Sequence, residues 1–339
     1  MHPQLRSPIK LTLCVTNTCN LNCIHCYSDC TREPDPRELT TLEWKKFIDH
    51  LVENNVMQAF IEGGEPFFRP DFLDLLEHCS RRMNLIVRTF ANHITAEVAA
   101  RLKALKVGLV CVDLLGARSE THDAHVGTVG SFELGISGAR NLVAAGVPIY
   151  TLMILTRRNV SELQEYVNLA YSLGATKAAA LRLYPLGRSK MRWDELSLSL
   201  QEMMEALQSV EVPKGFRFIH SWHPNDGNSC YQMSCVSPFG KSIGCPYLRE
   251  YVDLGDVREV AFVDTWNDPL WRVLRSGNVA DSCSRCYATQ GSIGGCRATA
   301  FAFHGRWDAP DPYCAEMNGG VDLQRLPEQL FWKKPWVEV

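Results

Sequence analysis

Residues 9–16, Ile-Lys-Leu-Thr-Leu-Cys-Val-Thr, lead directly into Asn17-Thr-Cys19-Asn-Leu-Asn-Cys23-Ile-His-Cys26. The first stretch is apolar and predicts a buried strand. Three thiolates at the spacing of the second stretch can hold three irons of a four-iron cluster and leave the fourth iron open. The alternatives are a zinc knuckle or three unrelated buried cysteines, but structural zinc sites favour paired C-x₂₋₄-C units.

Strands and helices alternate from residue 9 to about 185. Further strand candidates are Gln58–Glu62, Leu85–Thr89, Gly108–Asp113, Ile149–Leu155 and Ala178–Tyr184. Helical patterns lie at about 41–54, 71–82, 95–104, 132–145 and 160–173, with a further helical segment near 197–210. Thr40 and Glu43 form a capping box for the first helix, and Asn159 is a candidate N-cap. Six strands alternating with helices predict an α/β fold, a partial (β/α)6 barrel of the TIM type.

Composition excludes several classes of protein. Net charge is -3, so nucleic acid and anionic membrane surfaces are not expected partners. There is no apolar run of membrane-spanning length and no signal-peptide core near the N-terminus, which predicts a cytoplasmic protein. In a reducing cytosol, 14 cysteines indicate metal ligation or catalysis rather than disulfides. Cys14 and Cys111 lie in apolar strand-like runs and are predicted to be small core residues.

A second motif lies at the same edge of the predicted sheet. Gly63-Gly-Glu-Pro66 directly follows the strand candidate Gln58–Glu62, and ligands gather at the carboxyl ends of parallel strands. Glycine lets backbone approach a ligand without a Cβ, and Glu65 can accept a charge-assisted hydrogen bond from an ammonium group. The four residues also fit an ordinary turn. Two motifs converging on one edge predict a ligand site there.

These motifs resemble those of radical S-adenosylmethionine (radical SAM) enzymes, whose CxxxCxxC and GGE signatures they match. The resemblance implies a [4Fe-4S] cluster on Cys19, Cys23 and Cys26 that reductively cleaves S-adenosylmethionine to a 5′-deoxyadenosyl radical, which abstracts hydrogen from a substrate. It also implies cofactor binding by the residues at the predicted edge, namely His25, Gly63, Gly64, Glu65, Pro66, Asp113 and Tyr184. His25 equally fits a surface loop, and Asp113 and Tyr184 equally fit strand-end caps.

No side chain is clearly a catalytic acid or base. Asp113, which could touch the ribose or the substrate, is a weak candidate. His122 and His125 lie in a loop that resembles the segment before the fourth barrel helix of SPASM-type relatives, and they could transfer protons. They equally fit polar residues that flank a helix.

Seven cysteines lie in the last third of the chain: Cys230, Cys235, Cys245, Cys283, Cys286, Cys296 and Cys314. Their pattern resembles a SPASM domain, which holds auxiliary iron–sulfur clusters in peptide- and cofactor-modifying enzymes. The resemblance implies an inner cluster on Cys230, Cys235, Cys245 and Cys296, and an outer one on Cys283, Cys286 and Cys314. Ser292 stands where the pattern has a cysteine, so the outer cluster takes an oxygen ligand, is smaller or is missing. A zinc ribbon is the alternative, although seven cysteines overfill one Cys₄ site.

The predicted organisation is a barrel over residues 1–190, a connecting segment over 191–229, a SPASM domain over 230–325 and a tail over 326–339. The resemblance implies one or two auxiliary clusters and an electron donor such as flavodoxin or ferredoxin. The favoured function is modification of a ribosomal peptide, with a separate leader-peptide-binding protein or direct substrate binding, since the barrel begins near residue 10. The alternatives are modification of a tetrapyrrole or another small cofactor precursor, and a non-catalytic iron–sulfur electron carrier.

Overall fold

The computed structural model describes residues 5–220, 230–276, 295–315 and 318–331. One sheet of eight strands organises the chain, in the order β7-β6-β5-β4-β3-β2-β1-β8, and all the pairings are parallel. The strands are β1 Lys10–Cys14, β2 Gln58–Glu62, β3 Asn84–Thr89, β4 Leu109–Asp113, β5 Ile149–Ile154, β6 Ala178–Leu181, β7 Phe218–His220 and β8 Met233–Val236. Their order and direction are those of an α/β partial barrel.

Twelve α-helices connect and cover the strands in the described residues. They are α1 Thr41–Glu53, α2 Phe72–Ser80, α3 Ala96–Ala104, α4 Ser119–Val126, α5 Ser131–Ala144, α6 Leu163–Ser172, α7 Gly187–Met191, α8 Trp193–Leu196, α9 Leu200–Gln208, α10 Phe262–Trp266, α11 Pro269–Arg275 and α12 Arg297–His304. The capping box of Thr40 and Glu43 is confirmed at the start of α1. None of these helices is long and apolar enough to cross a bilayer.

Asn159 stands at the predicted N-cap position, before the 3₁₀ turn Val160–Glu162 that leads into α6, but its side chain makes no capping hydrogen bond. Its Oδ1 accepts from the Thr156 N–H at 2.8 Å, and its Nδ2 donates to the carbonyls of Leu115 and Ile154 at 2.9 Å each. The buried amide therefore links the ends of β4 and β5 and does not cap a helix. The loop predicted around His122 also differs, because α4 runs through it.

The six predicted strands are confirmed, with ends shifted by at most three residues, but the sheet continues beyond them. β7 and β8 have only three and four residues, too few to show a clear alternating pattern in the sequence. β8 pairs with β1, so a strand from the predicted SPASM domain completes the barrel sheet. The predicted division at residues 190 and 230 therefore does not coincide with the edges of the sheet.

The C-terminal region shares the hydrophobic core of the barrel. One buried cluster extends from Leu11 in β1 to Leu330 and includes Trp266 and Trp271, which are at most 1% exposed. Burying side chains of this size stabilises each by roughly 2–3 kcal/mol. The C-terminal region therefore folds against the barrel and does not depend on bound metal alone. No disulfide joins the cysteines that the structure describes.

Candidate active site

A cleft of about 750 Å³ lies at the carboxyl ends of the strands. Its lining unites most of the predicted site residues, namely Cys19, Cys23, Cys26, His25, Gly63, Gly64, Asp113 and Tyr184. Glu65, Pro66, His122 and His125 do not line it. The parallel topology brings the two motifs together because β1 and β2 are neighbours whose carboxyl ends share one edge.

The cysteine loop is anchored at both ends. The Cys19 N–H donates to the Thr31 carbonyl at 2.8 Å. Arg188 donates from its backbone N–H to the Cys26 carbonyl at 2.9 Å, and from Nε to the Cys23 carbonyl at 3.0 Å. Arg188 was not among the predicted site residues. It fixes the loop and places a positive charge beside thiols that must be deprotonated to bind iron.

The three thiols have different proton affinities. Burial raises the pKa of Cys19 to about 12 and the pKa of Cys23 well above its ordinary value. A hydrogen bond with the Cys30 thiol lowers the pKa of Cys26 to about 5, against the opposing effect of burial. The Cys30 thiol therefore favours the thiolate form of Cys26, although the sequence predicted no role for Cys30. Iron binding at Cys19 and Cys23 must release protons.

Gly63 and Gly64 allow β2 to pack against the cysteine loop. A Cβ on Gly63 would lie 2.5 Å from the Thr16 carbonyl oxygen, and one on Gly64 would lie 2.1 Å from the Thr18 carbonyl oxygen. The Gly64 N–H donates to the Thr16 carbonyl at 2.7 Å. The glycines are thus required for the approach of two backbone segments, and their own backbone also lines the cleft.

The Glu65 carboxylate faces the protein interior. It accepts from the Thr89 hydroxyl at 2.8 and 2.9 Å, from the Phe90 N–H at 3.0 Å and from the Phe67 N–H at 3.1 Å. Burial raises the pKa of Glu65 to about 7, although these hydrogen bonds oppose the shift. Pro66 begins the short 3₁₀ turn Pro66–Phe68 that Glu65 caps. Ammonium binding by Glu65 stays a prediction, and its carboxylate already has internal donors.

A charged wall closes the cleft on the barrel side. Arg88 Nε donates to Asp113 at 2.9 Å, and its Nη1 lies 3.3 Å from Glu62. The Tyr27 hydroxyl donates to the other oxygen of Glu62 at 2.8 Å. Burial raises the pKa of Asp113, and the Arg88 charge opposes this shift. Asp113 thus faces the cleft as part of an ion-paired network, whereas Glu62, Arg88 and Tyr27 were not predicted.

Two stacked tyrosines complete this wall. The ring centres of Tyr184 and Tyr247 are 3.6 Å apart and the rings are nearly parallel, with an interplanar angle of 7°. Both rings also line a second cavity of about 1390 Å³ inside the barrel, as do Glu62 and Arg88. Cleft and barrel cavity therefore share a wall of two charged and two aromatic side chains.

His25 is a buried member of the cleft lining. Its ring is 8% exposed, and Nδ1 has no hydrogen-bond partner among the described residues. Burial lowers its pKa well below the ordinary value, so its ring is neutral. An unpartnered buried nitrogen is costly in a finished core. It is consistent with a binding residue whose ligand supplies the partner.

His122 and His125 brace α4. The Leu115 N–H donates to His122 Nδ1 at 3.1 Å, so its Nε2–H faces the Ser131 hydroxyl at 3.2 Å. His125 Nδ1 donates to the Thr121 carbonyl at 2.8 Å, and its Nε2 lies 2.9 Å from the Thr156 hydroxyl. Every ring nitrogen therefore has a structural partner. This geometry favours helix bracing over proton transfer.

Acid should destabilise the fold through His122. Burial lowers the pKa of His122 to about 4, from 6.5 in an exposed chain. Between these values the unfolded chain binds more protons, so stability falls as pH decreases from 6.5 to 4. The loss reaches about 3 kcal/mol at most. Urea unfolding of the apo-protein across this range should show the loss, and His122→Gln should reduce the slope. An unchanged slope in that variant would contradict the assignment.

The predicted auxiliary cysteines lie in two surroundings. Cys245 and Cys296 line the barrel cavity next to Tyr247. Cys235 lies on β8 with its thiol 3.7 Å from that of Cys14. The Ile243 N–H donates to the Cys235 carbonyl at 2.9 Å, which holds the turn before Cys245 against β8. Cys14 is a small buried core residue, as predicted, but it lies in a small cluster with Cys235 and Ile243 that is separate from the main apolar core.

The outer predicted ligands are described only in part. Asp311 accepts from the Cys296 N–H at 2.8 Å through Oδ2, and its carbonyl accepts from the Cys314 N–H at 3.0 Å. Arg182, fully buried at the end of β6, donates to Asp311 at 2.7 Å. Asp311 thus connects two predicted ligands to the barrel. Cys283, Cys286, Ser292 and the side chain of Cys230 lie outside the described residues.

Comparison with known proteins matches the site to one family. The sequence profile of the radical SAM superfamily matches residues 13–170. Mycofactocin maturase MftC of Mycobacterium tuberculosis is 34% identical over 341 residues, covering 95% of this chain and 86% of the relative. The chain belongs to the radical SAM superfamily. It is therefore an enzyme, as predicted.

Two other similarities extend this radical SAM assignment. An AdoMet-dependent heme synthase of Methanosarcina barkeri is 29% identical, covering 90% of this chain and 95% of the relative. The crystal structure of Streptococcus suis SuiB bound to S-adenosylmethionine superposes with a TM-score of 0.73 at 17% identity, covering 92% of this chain and 78% of SuiB. This structural match confirms the radical SAM barrel fold.

The superfamily binds a four-iron cluster and S-adenosylmethionine, and the cleft fits both. Among the described residues, no three histidine, cysteine or acidic side chains are grouped for a single metal ion. The thiols of Cys19, Cys23 and Cys26 instead line one larger cleft, and thiolates are the usual ligands of iron–sulfur clusters. Glycine backbone and the unpartnered His25 nitrogen provide polar contacts for an organic ligand in the same cleft.

Proposed function

We propose that the protein is a radical SAM maturase that modifies a ribosomal peptide. The observation that carries the proposal is the wall shared by the cofactor cleft and the barrel cavity, which comprises Glu62, Arg88, Tyr184 and Tyr247. Because these four residues line both spaces, a substrate group in the barrel cavity would lie next to the cofactor cleft. The similarity to a mycofactocin maturase supports a peptide as that substrate.

Cys19, Cys23 and Cys26 would hold the cluster, and the backbone of Gly63 and Gly64 would face S-adenosylmethionine. When bound, these cofactors supply reductive cleavage of the sulfonium and a radical that abstracts hydrogen from the substrate. His25 and Tyr184, which both line the cleft, would contact the adenine. Asp113, held by Arg88, would contact the ribose.

The chain's own residues would also exclude water and fix charge at the reacting end of the barrel. Arg88 pairs with two buried carboxylates, Glu62 and Asp113, and the Tyr27 hydroxyl also donates to Glu62, so both carboxylates have partners within the protein. The stacked rings of Tyr184 and Tyr247 line both cavities. A dry, preorganised site protects a reactive species from side reactions.

The finer elements of the proposal concern clusters and partners. Cys230, Cys235, Cys245 and Cys296 would bind an inner auxiliary cluster, and Cys283, Cys286 and Cys314 an outer one with Ser292 or another oxygen ligand. A flavodoxin or ferredoxin would supply electrons, and a separate protein could present the leader of the peptide. The abundant thiols fit a reducing cytoplasm.

The test is anaerobic reconstitution with iron and sulfide, followed by dithionite and S-adenosylmethionine. The peptides to test are those encoded by short reading frames that flank the gene, and we expect 5′-deoxyadenosine and a mass change in one of these peptides. A parallel reaction contains a tetrapyrrole, the substrate class that the heme synthase similarity supports. Modification of the tetrapyrrole but not the peptide would overturn the peptide proposal. Absence of 5′-deoxyadenosine under all conditions would overturn the catalytic proposal itself.

A further inference from the structure

Cys14 and Cys235 form a buried thiol pair between the first and last strands of the sheet. Their sulfurs are 3.7 Å apart, and the two residues are 1% and 0% exposed. The register of β1 and β8 pairs Thr12 with Cys235, so Cys14 lies two residues closer to the carboxyl edge on the same face. Among the residues that the structure describes, Ile243 alone completes their small cluster, which is separate from the main core.

Charged groups contact the Cys14 thiol, which distinguishes it from an ordinary core cysteine. Glu62 Oε1 and Arg249 Nη2 each lie 3.7 Å from its sulfur. The Arg249 guanidinium also lies 4.9 Å from the centre of the Tyr27 ring. By contrast, Cys79 in α2 is a buried member of the main apolar core. Cys14 therefore occupies a polar junction between the cleft wall and Cys235.

We infer that Cys14 is a positioning residue of the inner auxiliary cluster, its thiol donating a hydrogen bond to the ligating sulfur of Cys235. The inference rests on the proposed function, in which Cys235 is a ligand. Four cysteines already satisfy the four irons of that cluster, so a fifth thiol has no iron to bind. It can still donate a hydrogen bond to the sulfur of a ligating cysteine without binding iron itself.

The surrounding contacts indicate where the single proton of Cys14 points. Arg249 can only donate, so the Cys14 sulfur accepts from it. Glu62 Oε1 can also accept from the Cys14 thiol at 3.7 Å, but this oxygen shares its lone pairs with the Tyr27 hydroxyl, which donates to it at the shorter distance of 2.8 Å. Cys235 is deprotonated when it binds iron, and its sulfur is then a strong acceptor. The Cys14 S–H is thus directed to Cys235 in the loaded protein.

This hydrogen bond should raise the reduction potential of the auxiliary cluster. Reduction adds negative charge to the cluster and its sulfurs, and a donor stabilises that charge. The Arg249 charge acts in the same direction. Cys14→Ala removes the donor, whereas Cys14→Ser retains a hydroxyl that can donate. Cys79→Ala is the matched control because it removes a buried thiol that contacts no proposed ligand.

The experiment compares the four reconstituted full-length proteins by iron content and by EPR-monitored redox titration. We expect Cys14→Ala to retain wild-type iron while its auxiliary signal titrates at a more negative potential. Cys14→Ser should lie between Cys14→Ala and wild type, and Cys79→Ala should match wild type. The reactive-cluster signal should be unchanged in all four.

Two results from the variants would overturn the inference. Loss of about four irons per chain in Cys14→Ala would make Cys14 a ligand. An unchanged auxiliary potential in both Cys14 variants would make it a bystander. If the wild-type protein shows the reactive cluster and forms 5′-deoxyadenosine but has no auxiliary signal, the inference fails while the proposed catalysis stands.

Discussion

Cys23→Ala is expected to abolish formation of 5′-deoxyadenosine, with a loss of more than about 100-fold. Replacement of residues that merely support a metal ligand typically costs 10–100-fold, and loss of the ligand itself should cost more. Cys23 lines the cleft and is only 5% exposed, so bulk water has little access to replace its thiolate as an iron ligand. The measurement is chromatographic quantification of 5′-deoxyadenosine after anaerobic reconstitution.

Iron content and the EPR signals distinguish loss of the reactive cluster from misfolding of the whole protein. The Cys23→Ala protein should lose the EPR signal of the reactive cluster and keep any auxiliary signal. Cys79→Ala should retain full activity, since that thiol lies in α2 away from the cleft. Full turnover by Cys23→Ala would defeat the assignment of the reactive cluster.

The site residues that the sequence predicted lie in short local motifs. The spacing of Cys19, Cys23 and Cys26 depends on one loop, and the Gly63–Pro66 motif directly follows a readable strand. Parallel strands then bring both segments to one edge. The same logic places Asp113 in the cleft because it ends β4, another parallel strand of the same sheet.

The parts that could not be predicted depend on contacts between distant segments. Arg88 is one charged residue in an apolar strand, and only the strand register shows that it bridges Glu62 and Asp113. Tyr247 lies in a short 3₁₀ turn whose stacking on Tyr184 has no local signal. The apolar neighbours of Cys14 predicted a core residue, whereas its partner lies 221 positions along the chain.

The histidines show how one polar pattern can support two different roles. His122 and His125 lie three residues apart, as expected for two groups on one helix face. Chemistry alone allows proton transfer or bracing. The structure favours bracing because both rings satisfy backbone groups inside the fold. Residue type indicates what a side chain can do, and its partners decide which role it takes.

Asp311→Ala is expected to lower the free energy of unfolding by about 3–5 kcal/mol, the usual cost of removing one member of a buried ion pair. Arg182 and Asp311 are both fully buried, with 2.7 Å between Nη1 and Oδ2. The guanidinium also lies 4.6 Å from the centre of the Tyr313 ring. The substitution would leave a buried positive charge without this carboxylate. Urea unfolding of the apo-protein measures the loss.

A double variant tests whether charge is the cause. Arg182→Met combined with Asp311→Leu buries no charge and should recover most of the stability lost in Asp311→Ala. Asp308→Ala is the matched control, because its 3.0 Å pair with Arg306 is exposed. That control should change stability by less than about 0.5 kcal/mol. A loss below about 1 kcal/mol in Asp311→Ala would contradict a strong buried pair.

Replacing Asp311 should also weaken binding of the auxiliary cluster, even in the double variant, whose stability is restored. Asp311 Oδ2 accepts from the Cys296 N–H, and Oδ1 accepts from the Tyr313 N–H next to Cys314. Leucine cannot replace either hydrogen bond, so the double variant should remain folded yet bind less auxiliary iron than wild type. Its reactive cluster should be retained, because Cys19, Cys23 and Cys26 depend on Arg188 and not on Asp311. Equal iron content in the double variant and wild type would show that Asp311 supports the fold alone.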